Sequence, residues 1–480
     1  MKRQLIYCLI GLLAFPPVID ANNPLNLPDM GDSSGTLLTP VQEQELGEAF
    51  FRSVHRQLPI AQDAEIQHYI ETIGTALVAQ SEQPGAPFHF FVVLDGSINA
   101  FAGPGGYIGV NSGLILKAEA ESELAAVMAH EIAHVTQRHL YRAFEAASKL
   151  ALPSAAAMLA AILLGTQSPE AGQAALIALQ AGSTQFQIDF TRSNEEEADR
   201  VGMQILAASN YDPRSMPIFF ERLQQAGRYY GQQIPEFLRT HPVTTSRISD
   251  SRARADHYPY RHYPDSVNFL LAQAKLRVMT ADSIKTVQAY FNNRLSLGTD
   301  LQKAVTRYGL ALALLEAQDF SRAETLLQAL TEHYPFAQFA NAYASSALKQ
   351  QRFDTALQRL QTSLRQHPGH LALTLSYIEA LLAAGKPDVA RQQLLAVDAD
   401  RLNKSHYYQL LARIYGDLKQ PAESHRYMAE YYYASGQTQA AIMQIRLAQK
   451  APDIDFYLAS ILSERLTAFL KQLRAEREQG

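Results

Sequence analysis

Cysteine is almost absent from this 480-residue chain: the single one, Cys8, lies inside an apolar run, Leu5 to Phe15, that follows Lys2 and Arg3. A short apolar run behind positive charge, with Ile19-Asp20-Ala21 beyond it, reads as a secretory signal peptide over residues 1–21, cleaved near Ala21. The mature chain would then carry no thiol. That excludes disulfide bridges, thiolate nucleophiles and cysteine-bound metal together. A lipid-attachment cysteine would follow the run rather than sit within it, and the run is shorter than the roughly 20 residues of a membrane span. Long apolar runs are otherwise few. Residues 150–164 are interrupted by Pro153, and 174–181 are fewer still. A buried helix, a lid or a hairpin touching a membrane all fit these stretches, so peripheral membrane contact stays open. The net charge is −5 with no basic block, which leaves nucleic acid no electrostatic footprint.

What is present is apolar residues, 47% of the chain, enough for substantial cores. The length suggests two or three domains. Residues 22–40 are rich in Asn, Pro, Gly, Asp, Ser and Thr and read as a flexible leader. Helical patterns cover Thr39 to Arg56 and Ala64 to Ala79. The clearest strand is Phe88 to Leu94, aromatic and β-branched and closed by Asp95-Gly96. Ile98 to Phe101 and Tyr107 to Val110 follow, separated by Gly103-Pro104-Gly105-Gly106. A small sheet therefore precedes a largely helical remainder.

The C-terminal half repeats. Ala323, Ala356, Ala390 and Ala422 recur at steps of 33, 34 and 32 residues, and Pro335 and Pro368 stand twelve beyond the first two. Pro452 stands twelve beyond Ala440, which itself lies only 18 after Ala422, so one helix would serve two neighbouring units. A period near 34, with a small residue where helices cross and a proline at the exit, is the tetratricopeptide pattern. The repeats are degenerate, because their usual tryptophan is missing along with every other tryptophan. Ile454 to Leu473 makes a last amphipathic helix suited to capping a solenoid. Tyr431, Tyr432 and Tyr433 read as packing or groove residues.

Chemistry concentrates in His130-Glu131-Ile132-Ala133-His134. Residues four apart on a helix face the same way, so both imidazoles can reach one divalent ion while Glu131 leans toward its open side. No Gly or Pro interrupts Leu116 to Leu150, and Leu124, Val127, Met128, Ile132 and Val135 recur at helical spacing, which predicts one long buried helix. A buried Glu131 with two histidines and no partner would be costly, and a cation resolves that cost. A catalytic zinc wants a third protein ligand. In Asn194-Glu195-Glu196-Glu197-Ala198-Asp199, Glu195 and Asp199 share a face: Glu195 can ligate and Asp199 can accept the free N–H of a ligating histidine. Spacing alone leaves this acidic stretch equally readable as a solvated helix start. Glu196 and Glu197 rotate off that face and are given no role. His139 and His333 lack partner spacing and read as ordinary.

The pair of motifs, H-E-x-x-H at 130–134 and E-x-x-A-D at 195–199, resembles the zinc metallopeptidase family that includes the CAAX prenyl proteases and HtpX. A secretory leader with C-terminal repeats is similar to its periplasmic branch, and the likeness spans about residues 40–450. It implies a mainly α fold: a zincin-like metalloprotease domain with a small sheet over 41–262, then an α-solenoid of tetratricopeptide repeats with its capping helix over 263–480. It implies one Zn2+ per chain, held by His130, His134 and Glu195. Asn99, Ala100 and Phe101 resemble the family's active-site edge strand, where main-chain hydrogen bonds would hold an extended substrate. His241-Pro242 with Arg247 resembles its H-P-x-x-x-x-R element. There His241 either stabilises an oxyanion or takes the fourth zinc position, and Arg247 and Asp199 join Glu131 among the catalytic candidates.

The expectation is metal-assisted peptide hydrolysis in the periplasm, with Glu131 as general base. The resemblance implies unfolded or misassembled outer-membrane β-barrel proteins as substrates, and the barrel-assembly complex as partner through the repeats. A chaperone or assembly adaptor with a normally silenced protease half is the rival. A membrane-embedded prenyl-type protease is excluded for want of spans.

Overall fold

A computed structural model of the chain describes residues 38–149, 184–229, 236–398 and 403–478. The expected signal peptide, most of the leader and the apolar stretches 150–164 and 174–181 lie outside the described residues.

The first helix, α1 (Pro40–Gln57), starts on a capping box in which Thr39 and Gln42 satisfy each other's backbone amides. Helix α2 (Ala64–Val78) is capped by Asp63. Three strands follow, β1 (His89–Val93), β2 (Ala100–Ala102) and β3 (Tyr107–Asn111), in the order β1-β3-β2. β3 runs parallel to β1 and antiparallel to β2. Side chains alternate across a strand. Accordingly Phe90 and Val92 enter one core with Ile70 and Leu124, while Phe91 and Val93 enter another with Phe50 and Val54 of α1. Helices thus cover both faces of this sheet, which is why β1 has no polar alternation. β2 is left at the edge. In the turn before β3, Gly106 (φ 74°) admits no side chain, since a Cβ there would stand 2.2 Å from the Pro87 carbonyl oxygen.

Helices α3 (Ser112–Lys117), α4 (Glu121–Thr136) and α5 (His139–Lys149) occupy the stretch expected to be one helix. The expectation of continuity is corrected here. The chain breaks before Glu121 and again at Arg138, whose φ of 53° lies in the left-handed region. Neither break has a Gly or Pro to announce it. The burial pattern of α4 is as read, with Leu124, Val127, Met128 and Ile132 buried. Beyond it come α6 (Thr184–Ala208), α7 (Ser215–Tyr229), α8 (Glu236–Thr240) and α9 (Thr245–Ala255).

From α10 (Val267–Met279) onward the described chain is helical hairpins. Ala323, Ala356, Ala390 and Ala422 are all fully buried, each in the second helix of its hairpin. At the start of the last hairpin the buried residue is Ala441 rather than Ala440, a shift of one position. The hairpin turns share one device. Gln318, Gln351, Gly385, Lys419 and Gly436 all take positive φ. In the first of these the amides of Gln318 and Asp319 reach back to the carbonyls of Leu315 and Leu314, closing the helix end as a Schellman motif. Helix Phe456–Glu478 closes the array, burying Leu458, Leu462 and Phe469.

The two halves are knitted together. Phe269, Ala272 and Leu276 of α10 belong to the same core as the sheet and α4. Lys275 on α10 pairs with Asp63 at 2.6 Å and Glu65 at 2.8 Å, while Tyr308 and Asn341 from the repeats donate to Glu65. Among the described residues no helix is long and apolar enough to cross a membrane.

Candidate metal centre and active site

Helix packing builds the site. α4 and α6 cross where small side chains allow it: Ala129, Ala133 and Ala198 are fully buried. At Gly202 a Cβ would lie 3.0 Å from the His130 backbone nitrogen and 3.1 Å from Ala129 carbonyl atoms. This close approach carries Glu195 from one helix to His130 and His134 on the other.

His130 Nε2 and His134 Nε2 stand 3.0 Å apart. Glu195 reaches both, with Oε2 at 3.4 Å from His130 Nε2 and Oε1 at 3.3 Å from His134 Nε2. The fourth member is His241, whose Nδ1 lies 2.9 Å from Glu195 Oε1 and 3.4 Å from His130 Nε2. Four donors held about 2.0–2.2 Å from a tetrahedral ion are about 3.3–3.5 Å from one another. Three of the observed separations, 3.3–3.4 Å, match that figure, and the other two, 3.0 and 2.9 Å, are shorter. One buried carboxylate oxygen here, Glu131 Oε1, accepts no hydrogen bond. Three imidazoles and a carboxylate converging in a buried site form a donor set that suits a metal ion.

The surroundings orient this set. His130 Nδ1 lies 3.0 Å from Asp199 Oδ1. Arg247 is buried and holds Asp199 with two bonds of 2.7 Å, from Nε and Nη2. Its Nη1 lies 2.8 Å from Glu195 Oε2 and also donates to the Pro242 carbonyl. One guanidinium therefore ties Glu195 and Asp199 of α6 to the His241 loop. Burial pushes the His130 imidazole down, but Asp199 and Glu195 outweigh it and raise its pKa to about 10. Burial lowers His134 to about 3. Burial would raise Glu195 too, yet the three imidazoles around it hold it well below the carboxylate range. Glu131 is pushed up by burial, which outweighs the nearby His241 and His130.

Two residues given no role in the sequence acquire one. His139 Nδ1 lies 2.8 Å from His134 Nδ1, and His139 Nε2 lies 3.1 Å from Glu197 Oε2, which Arg142 also binds at 2.8 Å. His139 is therefore not ordinary, and Glu197 is not idle. In an unbroken helix a residue five positions on points about 140° away. The left-handed turn at Arg138 is what brings His139 back. No sequence signal marks that turn.

The edge strand lies alongside. Asn99, Phe101 and Gly103 direct their main-chain groups at β3, as the bonds Asn111 N–H to Asn99 O and Gly103 N–H to Tyr107 O fix. By antiparallel alternation the groups of Ala100 and Ala102 face the other way, where the Ala102 amide meets the Glu131 carboxyl. Phe237 on α8 donates to the Ile98 carbonyl at 3.2 Å, and its ring stacks on His241 at 4.9 Å. His241 Nε2 in turn lies 3.4 Å from Glu131 Oε1. The structure thus gathers His130, Glu131, His134, Glu195, Asp199, His241 and Arg247 in one place, with Asn99, Ala100 and Phe101 on the adjoining edge. His333 is exposed and bonds the Ala329 carbonyl of its own helix.

Fold and site define a metallopeptidase of the H-E-x-x-H type joined to a helical repeat array. A family profile described as Peptidase family M48 matches residues 64–255, and two described as Tetratricopeptide repeat match 308–354 and 347–414. The chain is 34% identical over 483 residues to the Beta-barrel assembly-enhancing protease of Escherichia coli K12, covering all of this chain and 98% of that one. It is 36% identical over 388 residues to the protein of the same name from Yersinia pestis, covering 81% and 80% of the two chains. The Mitochondrial metalloendopeptidase OMA1 of Schizosaccharomyces pombe is 30% identical over 181 residues, 38% of this chain and 50% of its own. The chain belongs to the family of these beta-barrel assembly-enhancing proteases, within peptidase family M48.

Proposed function

We propose that the chain is a zinc-dependent endopeptidase of the periplasm that acts in outer-membrane protein quality control. His130, His134 and Glu195 hold the metal. When bound, zinc supplies Lewis acidity for the scissile carbonyl and acidifies a water. Glu131 takes that water's proton and returns it to the leaving amine. Burial, which pushes its pKa up, favours its taking a proton. Asp199 orients His130, and Arg247 positions Asp199 and Glu195 rather than meeting substrate. Asn99, Ala100 and Phe101 bind substrate as an added strand, a reading supported by the position of β2 at the edge of the sheet. The metallopeptidase unit covers 41–262, and the repeat unit with its cap covers 263–480. The repeats dock the enzyme on the outer-membrane barrel-assembly complex, and misassembled β-barrel proteins are the substrates. The name that the Escherichia coli and Yersinia pestis relatives share supports this reading.

The observation that carries the proposal is the convergence of four donor atoms from α4, α6 and the His241 loop. Metal analysis beside a casein assay tests it. Glu131→Gln should keep zinc at one per chain and lose cleavage, while His130→Ala should lose the metal. Cleavage by Glu131→Gln at the native rate would refute the assignment.

One observation favours the rival, a chaperone or assembly adaptor with a silenced site. His241 Nδ1 completes the group of four, and a metal with four protein ligands has no open position for water. On that reading, the casein rate of His241→Ala exceeds that of the native chain. If His241 instead stabilises the oxyanion, the same substitution lowers the rate.

A further inference from the structure

The repeat half carries a cavity that the peptidase reading does not use, and the inference drawn from it does not rest on that reading. It lies between α10 and the two helices that follow, Ile284–Asn292 and Asp300–Glu316, and has a volume of about 300 Å³. Leu270, Phe291, Leu297 and Val305 give it apolar walls, and no carboxylate lines it. Arg277 and Arg294 do. Both guanidiniums lie over the Tyr290 ring, at 4.2 Å and 3.9 Å from its centre, which places them within about 8 Å of each other. That is about one Debye length at physiological salt, so the two charges are only partly screened from each other. Among the described residues neither forms an ion pair.

We propose that this cavity binds the C-terminal residue of a polypeptide whose last side chain is apolar. The paired arginines match a terminal carboxylate, which accepts up to four hydrogen bonds, and guanidinium forks are the geometry such a group prefers. The apolar walls take the side chain; the volume sits at the low end for ligand pockets and suits one residue rather than a folded segment. Two polar groups fit the last peptide unit. Gln302 uses its Oε1 on the Thr299 amide, leaving its NH2 to donate. The Thr306 hydroxyl donates to the Gln302 carbonyl, leaving a lone pair for a peptide N–H. A lipid offers no such N–H, and its two tails exceed the cavity.

Fluorescence anisotropy with the full chain and a labelled short peptide ending in phenylalanine tests this. The free acid should bind, and the same peptide with its C-terminus amidated should bind at least about tenfold more weakly. Arg294→Gln and Arg277→Gln should each weaken the free acid by about that factor and leave the amide unchanged. Arg294 is exposed, so its variant carries the test if the other fails to fold. The inference is overturned if the free acid does not bind, if acid and amide bind equally, or if Arg294→Gln leaves the acid's affinity intact. Arginine-dependent binding of phosphatidylglycerol vesicles without binding of the peptide assigns the site to lipid and overturns it equally.

Discussion

His139 Nδ1 lies 2.8 Å from His134 Nδ1, and this pair fixes the tautomers around the metal set. Two ring nitrogens that close must share one proton. If His134 Nε2 offers its lone pair to a cation, its Nδ1 carries the hydrogen and donates to His139. His139 Nε2 is then the N–H that meets Glu197 at 3.1 Å. Each ring has one donor and one acceptor, so the chain His134, His139, Glu197 is consistent throughout.

His139→Ala should therefore weaken metal binding while sparing the ligands themselves. Loss of an outer partner of this kind typically costs about 10–100-fold in metal affinity. A chelator-competition titration measures it, and circular dichroism checks that the fold persists. An unchanged affinity would show that the contact with His139 does not prepare His134.

How much of this was legible follows residue by residue. The proposed ligands His130 and His134 were, because one helical turn separates them, whereas spacing left Glu195 open and the resemblance singled it out. So were β1 and the buried alanines of the repeats, whose spacing reports packing directly. His139 was not, because its position depends on a left-handed Arg138 with no Gly, Asn or Pro to forecast it. Arg247 was found only through resemblance: its role arises from three elements meeting, and spacing within one element does not encode that. The join between the halves was also hidden, since Glu65 and Lys275 are separated in sequence and each reads as a surface charge.

Arg247→Lys keeps the charge and removes the fork. Lysine cannot reproduce two parallel bonds to Asp199 together with the Glu195 contact. Metal affinity should fall by about 10–100-fold, and the melting temperature should fall with it. A variant that keeps both values would show that positive charge alone suffices at this position.

At Gly202 the test is steric. A methyl group would press on the backbone of Ala129 and His130 at 3.0–3.1 Å, so the two helices must part by a few tenths of an ångström. Overpacking of this sort costs about 1–3 kcal/mol. Gly202→Ala should lower thermal stability and loosen zinc, since Glu195 rides on the helix that moves. Thermal melts and metal stoichiometry report the two effects separately, and a variant equal to the native chain in both would refute the close-packed crossing.

Lys275 is the keystone between the halves. Burial would lower its pKa, but Asp63 and Glu65 outweigh burial and hold it above its ordinary value. A raised pKa stabilises the fold fully below the unfolded-state value of about 10.4 and less so only as pH climbs through the folded-state value. The contribution is thus intact at neutral pH. Lys275→Met leaves Glu65 buried with only Tyr308 and Asn341 as neutral donors. Breaking such a pair from one side costs about 3–5 kcal/mol. The expected result is a lower melting temperature at pH 7, with the gap to the native chain narrowing above about pH 10. The double variant Lys275→Met/Glu65→Gln should recover part of the loss, because it removes the stranded charge. If the single variant melts with the native chain at pH 7, the halves are not held together through this ion pair.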